Sequence, residues 1–167
     1  MKTPDDPKGV VARFADGPDL LEHALEGIRE TDLDKQPSAG GWTIREIVHH
    51  IVDGDDIWKI CIKTALGGKN PEFDLSWYRA LPQEDWTERW AYKSRSLDVS
   101  LAFLRAGRNH LVQLMENIPD GWTRTFVFRK ADGGEEQVSI GAVIGMQADH
   151  LEHHVKRIRD IRSEIGD

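Results

Sequence analysis

Gly41-Trp42-Thr43-Ile44-Arg45-Glu46-Ile47-Val48-His49-His50-Ile51-Val52-Asp53 opens a helix and carries two adjacent histidines into it. Thr43 and Glu46 have the spacing of a capping box, in which each side chain bonds the other residue's backbone N–H. Trp42, just before the cap, and Ile47, in the following turn, can close a hydrophobic staple over it. The helix is expected to run to about Leu66, where Gly67-Gly68 stops it. Ile44, Ile47, Ile51, Trp58 and Ile62 recur at helical spacing and define its buried stripe. His50 flanks that stripe, about 100° from its centre, and can look inward, whereas His49 is expected to face away.

Three further helices surround this one. The first is expected from about Asp16 to Thr31, with Phe14, Leu21, Ala24, Leu25 and Ile28 on one face. Residues 69–90 contain Pro71, Pro82, Trp77, Trp86 and Trp90, and read as a loop pinned by its aromatics, with room for a short helix near Pro82. A third helix starts at about Glu88 or Ser94 and runs to Asn117, with Leu97, Leu101, Leu104, Leu111, Met115 and Ile118 along its buried side. The period then changes. Thr125–Phe128 is strand-like, Asp132-Gly133-Gly134 is a turn, and Glu135–Val138 can pair back as a short hairpin. Such a ribbon is marginal alone and must pack on helices. Ser139 caps a last helix running to about Ile165. The expected class is therefore all-α, with a short β-hairpin before the final helix.

The bulk properties narrow the partners. A chain of 167 residues fits one domain over 1–167, with residues 1–13 expected as a flexible lead-in. The formal net charge is −7 with acids and bases mixed, so no basic stripe marks a nucleic-acid partner. No apolar run approaches the ~20 residues needed to span a bilayer. The polar N-terminus and the single cysteine, Cys61, lead to an expectation of a cytoplasmic protein.

Of seven histidines, five fall in two short stretches. His150 and His154 are four apart, so both imidazoles can reach one ion from the same face of the last helix. Ile144, Leu151, Val155 and Ile158 define the buried stripe there. His154 lies about 60° and His150 about 100° from its centre, while His153 points into water. With His50 from the second helix, three nitrogens can converge in a bundle core, a normal place for a metal. The alternative is that these are half-buried polar residues, since an i, i+4 histidine pair also occurs by accident. Two zinc-protease patterns are excluded, because Leu151 follows His150 and His153 precedes His154 where each pattern requires Glu. His23 and His110 fall off their apolar faces and are expected at the surface. Cys61 is expected in the core.

The 41–53 stretch, taken with Asp149-His150-Leu151-Glu152-His153-His154-Val155-Lys156-Arg157-Ile158, resembles the DinB-like superfamily, most closely its YfiT branch, which is provisionally assigned as metal-dependent hydrolases. The resemblance spans about residues 15 to 160. It implies a four-helix bundle, a homodimer, and one divalent transition metal ion, commonly nickel or zinc. Carried over by position, the ligands are His50, His150 and His154. Glu152 and Arg157 stand where a relative carries further histidines, which puts a shared substrate in doubt.

Three neutral imidazoles leave positions open, and water bound to such a site becomes acidic enough to give hydroxide near neutrality. A metal-dependent hydrolase acting on a small-molecule substrate through metal-bound water is the leading expectation. A low-molecular-weight-thiol-dependent S-transferase or isomerase is the first alternative. A non-catalytic dimer binding a metal or small ligand is the second. Asp53 and Glu46, one turn either side of His50, are the acids placed to accept its other N–H, and Asp53 could act as a base. The plainer reading, and the favoured one, is that both are solvated helix acids. Trp58 is expected in the core or at the pocket wall, and Gln147 is a possible pocket residue or fourth ligand.

Overall fold

The computed structural model describes residues 1–166. In chain order the elements are α1 (Pro7–Leu25), α2 (Ile44–Gly67), β1 (Glu72–Asp74), α3 (Ser76–Arg79), α4 (Gln83–Arg89), α5 (Leu97–Asn117), β2 (Thr125–Arg129), β3 (Glu135–Ser139) and α6 (Ile140–Ile165). The long helices α1, α2, α5 and α6 form a four-helix bundle in which α1 and α2 each pack against both α5 and α6. Among the described residues, no helix is long and apolar enough to cross a membrane.

The core has two parts. One gathers Leu21, Ile47, Val48, Ile51, Leu104, Leu151, Val155 and Ile158 between the four helices. The other joins the C-terminal half of α2, through Cys61, Ile62 and Ala65, to Phe73, Phe126, Phe128 and Val138 of a small sheet. The expected hairpin is present, with Thr125 opposite Ser139 and Arg129 opposite Glu135. A third strand, β1, adds to it in parallel, pairing Glu72–Asp74 with Val127–Arg129. Only the central Phe73 of β1 is buried, so three residues carry too short an alternation to be read as a strand.

The first helix corrects the expected boundaries. It begins at Pro7, not Asp16, and ends at Leu25, not Thr31. Asp6 caps it by accepting from the Gly9 amide at 3.0 Å, and Pro7 takes the first helical position, where a missing N–H costs nothing. Residues 7–13, expected as part of a flexible lead-in, are therefore helical, and Thr3 Oγ1 meets Ser139 Oγ at 2.6 Å. The helix continues through Pro18, a residue that normally breaks one by leaving the carbonyl four residues back without its donor. Here that carbonyl, Phe14 O, receives a hydrogen bond from Arg108 Nη1 of α5 at 2.9 Å. A long-range arginine replaces the bond that proline removes.

The 69–90 segment is more ordered than a pinned loop. It holds β1, α3 and α4, and Tyr78, Trp77, Trp86 and Trp90 pack ring on ring, with Trp86 and Trp90 4.8 Å apart. Ala91 then adopts a left-handed backbone, φ 51°, which separates α4 from α5 and turns Tyr92 into the core. The third long helix consequently starts at Leu97.

Gly141, in the first turn of α6, lies under Trp122. A Cβ there would sit 2.4 Å from the indole Cε2. Gly→Ala inside a helix normally stabilises by roughly 0.5–1 kcal/mol. Gly141→Ala is expected to destabilise instead, by about 1–3 kcal/mol, because the ring must move. Urea denaturation of the two proteins checks the sign.

Candidate metal centre

The capping box forms as its residues require. Thr43 Oγ1 accepts from the Glu46 amide at 3.3 Å, and Glu46 Oε2 accepts from the Thr43 amide at 2.9 Å. This starts α2 in the register that turns His50 toward α6. At the other wall, Ser139 Oγ accepts from the Ala142 amide at 3.1 Å and starts α6. His150 and His154 then fall on successive turns of one face.

These three histidines meet. His150 Nε2 is 3.1 Å from His50 Nε2 and 3.1 Å from His154 Nε2, and the three donor atoms all lie within 4.8 Å of one another. Trp42 lies over the group, its ring centroid 4.4 Å from His50 and 6.1 Å from His154. The tryptophan that was expected as a helix staple therefore also walls the histidine cluster. His50 is buried, and His150 and His154 are half-buried.

Burial holds all three imidazoles well below the ordinary histidine range. His50 falls to about 3 through burial and then its neighbour His154. His150 falls to about 4 through burial and then His50, and His154 to about 3 through burial and then His150. The rings are neutral at physiological pH, the form in which imidazole ligates a metal. A stability consequence follows for the metal-free protein. Between the ordinary histidine value of 6.5 and these depressed values, the unfolded chain binds protons that the folded chain refuses. Stability is full above that window and is lost as pH falls into it. Thermal melts of chelator-treated protein at pH 7.5 and pH 5 should show the lower Tm at pH 5.

His49 corrects its expected orientation. It is fully buried, with Nδ1 3.0 Å from Ser100 Oγ and Nε2 3.3 Å from Arg95 O. Helix α2 is covered on two sides, by α6 and by the 92–100 segment with α5, so the face opposite His50 is also interior. Burial and then the Arg95 charge hold His49 down to about 4. His153 and His110 are exposed, as expected, and Cys61 is buried.

The two nearby acids are engaged elsewhere. Asp53 forms a bidentate pair with Arg95, at 2.6 and 3.0 Å, and Glu46 is committed to the cap. Trp58 packs on Phe73 and Phe128, at 5.3 and 5.6 Å, in the sheet-side core. Gln147 is buried and donates to Asp55 O at 3.3 Å, while its Oε1 and His154 Nδ1 have no protein partner. What does adjoin the cluster, at His154, is a pocket of about 290 Å³ that Trp42 and Ile47 also line. Gln83 and Glu84 of α4, and His153 and Arg157 of α6, line it as well. None of the α4 residues was legible as a pocket wall, since the short helix reaches the site only through tertiary packing.

A second buried group escaped the sequence reading. Arg108, 1% exposed, holds Asp55 through Nε at 2.6 Å and Nη2 at 3.2 Å, Phe14 O through Nη1, and Gln147 O through Nη2 at 3.1 Å. A signal was present: Arg108 falls in register between Leu104 and Leu111 on the apolar stripe of α5.

Comparison with known proteins agrees with this architecture. The DinB superfamily profile matches residues 13–158. A Bacillus cereus (strain AH820) protein provisionally named as a metal-dependent hydrolase is 31% identical over 157 residues, covering 93% of this chain and 85% of its own. An Oceanobacillus iheyensis protein with the same provisional name is 28% identical over 152 residues, covering 90% and 83%. Among solved structures, YfiT from Bacillus subtilis superposes with a TM-score of 0.81 at 23% identity, covering 99% of this chain and 94% of its own. That structure is described as an unusual four-helix bundle, again provisionally a metal-dependent hydrolase. A bundle of this topology, with histidines of α2 and α6 facing one another and matching sequence along most of its length, belongs to the DinB superfamily as a YfiT-type protein.

Proposed function

We propose that His50, His150 and His154 hold one divalent transition metal ion, nickel or zinc, and that the chain is a metal-dependent hydrolase of a small molecule. One observation carries the metal assignment. His150 Nε2 has close contacts with two other ring nitrogens at once. A neutral imidazole nitrogen is either one donor or one acceptor. Whichever tautomers the rings adopt, one neutral Nε2 cannot make both contacts as good hydrogen bonds. A shared cation satisfies all three lone pairs together. Two of the spacings, 3.1 Å each, are close to what a metal needs: with Zn–N bonds of about 2.0–2.1 Å, ligand nitrogens at a tetrahedral angle lie roughly 3.3–3.4 Å apart.

The donor set is all nitrogen, and imidazole suits zinc and nickel alike. A divalent ion held by three histidines supplies a Lewis acid and lowers the pKa of bound water toward neutrality. The chain's own residues do the rest. Burial keeps the three rings unprotonated. Trp42 and Ile47 give the pocket an apolar wall that limits water on that side. Glu84 is the carboxylate that lines the pocket and is available to hold a proton there. Hydrolysis is the reading that the provisional names of the relatives share.

The direct test is reconstitution. Chelator-stripped protein, reloaded with one equivalent of zinc or nickel, should gain several degrees in Tm, as a ligand specific to the folded state requires. It should also hydrolyse members of an ester and amide panel that the stripped protein leaves intact. Uptake of metal with no turnover above the stripped control across that panel would sink the hydrolase reading and leave a binding role.

A further inference from the structure

Arg157 differs from the arginines that are paired across the fold. Arg13, Arg95, Arg105, Arg108 and Arg129 each hold a carboxylate. Arg157 is half-buried and, among the described residues, has neither an ion pair nor a hydrogen bond, yet it lines the pocket that His154 and Trp42 also line. Its position on α6 is specific. His150, His154 and Arg157 follow at i, i+4 and i+7, so all three project from one face. The 1.5 Å rise per residue puts Arg157 about 4.5 Å further along the axis than His154.

We infer that Arg157 is a specificity-determining residue that binds a carboxylate of the substrate, so that the substrate class is a small ester or amide bearing a free carboxylate. This rests on the three-histidine metal reading, because the histidines define where the scissile bond would lie. The guanidinium presents parallel N–H donors that match a carboxylate in bidentate fashion. Its half-buried setting strengthens that contact relative to open water. A single negative charge is selected over a polyphosphate. Glu84 faces the same pocket with its own negative charge, and the chain as a whole carries −7. The carboxylate sits about one helical turn from His154, the histidine that lines the same pocket, so only a few bonds separate it from the bond to be cleaved. Trp42 and Ile47 provide the apolar wall against which the intervening carbons lie.

The test uses two hydroxamate probes of similar length on zinc-loaded protein, with affinity read by calorimetry. Butyrohydroxamate presents a metal-binding group and an apolar tail. The monohydroxamate of succinic acid presents the same group and a carboxylate. The parent should bind the succinic probe about tenfold more tightly, the scale of a charge-assisted hydrogen bond at a partly buried site. Arg157→Gln should erase that preference while leaving butyrohydroxamate affinity and Tm unchanged. Equal affinity for the two probes in the parent, or a preference that survives in Arg157→Gln, would overturn the subsite. Binding of both probes to metal-free protein as tightly as to the zinc form would overturn the metal reading itself, and the subsite with it.

Discussion

Arg108→Met should lower the stability of the fold by about 3–5 kcal/mol, the usual cost of removing one partner from a buried ion pair. For a chain of this size that corresponds to a fall in Tm of roughly 10 °C. The argument rests on what the guanidinium touches. It comes from α5 and reaches Asp55 on α2, Phe14 O on α1 and Gln147 O on α6, so one side chain ties together all four bundle helices. Phe14 O depends on it twice over, because Pro18 has removed the amide that would otherwise serve that carbonyl. The packing is close enough that a Cβ on Gly17 would lie 2.1 Å from Arg108 Nη1. The double variant Arg108→Met/Asp55→Leu should recover part of the loss, since the unpaired carboxylate goes and an apolar pair fills the space. Recovery should stay incomplete, because Phe14 O, which Pro18 leaves without a helical donor, would have none at all. Chemical denaturation of both variants measures this directly. A single variant within about 1 kcal/mol of the parent would show that the cluster contributes little.

His150→Ala should abolish metal binding while leaving the fold in place. His150 is the vertex of the histidine group, the one ring whose Nε2 meets both others. Loss of an outer partner of a metal ligand already costs 10–100-fold in affinity. Loss of a ligand itself should exceed about 100-fold, taking the purified, untagged protein from about one equivalent of metal to a small fraction of one. The ring is only half-buried and sits in the middle of a 26-residue helix, so far-UV circular dichroism should change little. His50→Ala and His154→Ala should behave alike. Elemental analysis with metal content equal to the parent in all three variants would end the three-histidine assignment.

The legibility of the site was uneven for physical reasons. Periodicity resolves the phase of a residue about its own helix, and that was enough to separate His154 from His153. It failed for His49 because phase says nothing about how many neighbours a helix has. A helix covered on one side has a wet back; α2 is covered on two, so His49 is buried against Ser100 and Arg95. Asp53 shows the same limit. It lies one turn from His50 in sequence, but Arg95, forty-two residues away, claims its carboxylate.

The helix starts marked by local chemistry, at Thr43 and Ser139, the hairpin around Gly133-Gly134, and the inward phase of His50, His150 and His154 are written in the linear pattern of residues. All of these are set by interactions between residues a few positions apart, which a linear pattern records. The passage of α1 through Pro18, the third strand, and the pocket walls supplied by Glu84 and Arg157 come from packing between distant parts of the chain. Each of these depends on a partner distant in the chain. Phe14 O finds Arg108, Phe73 finds the β2 edge, and α4 comes to share a pocket with α6 only once the bundle has closed.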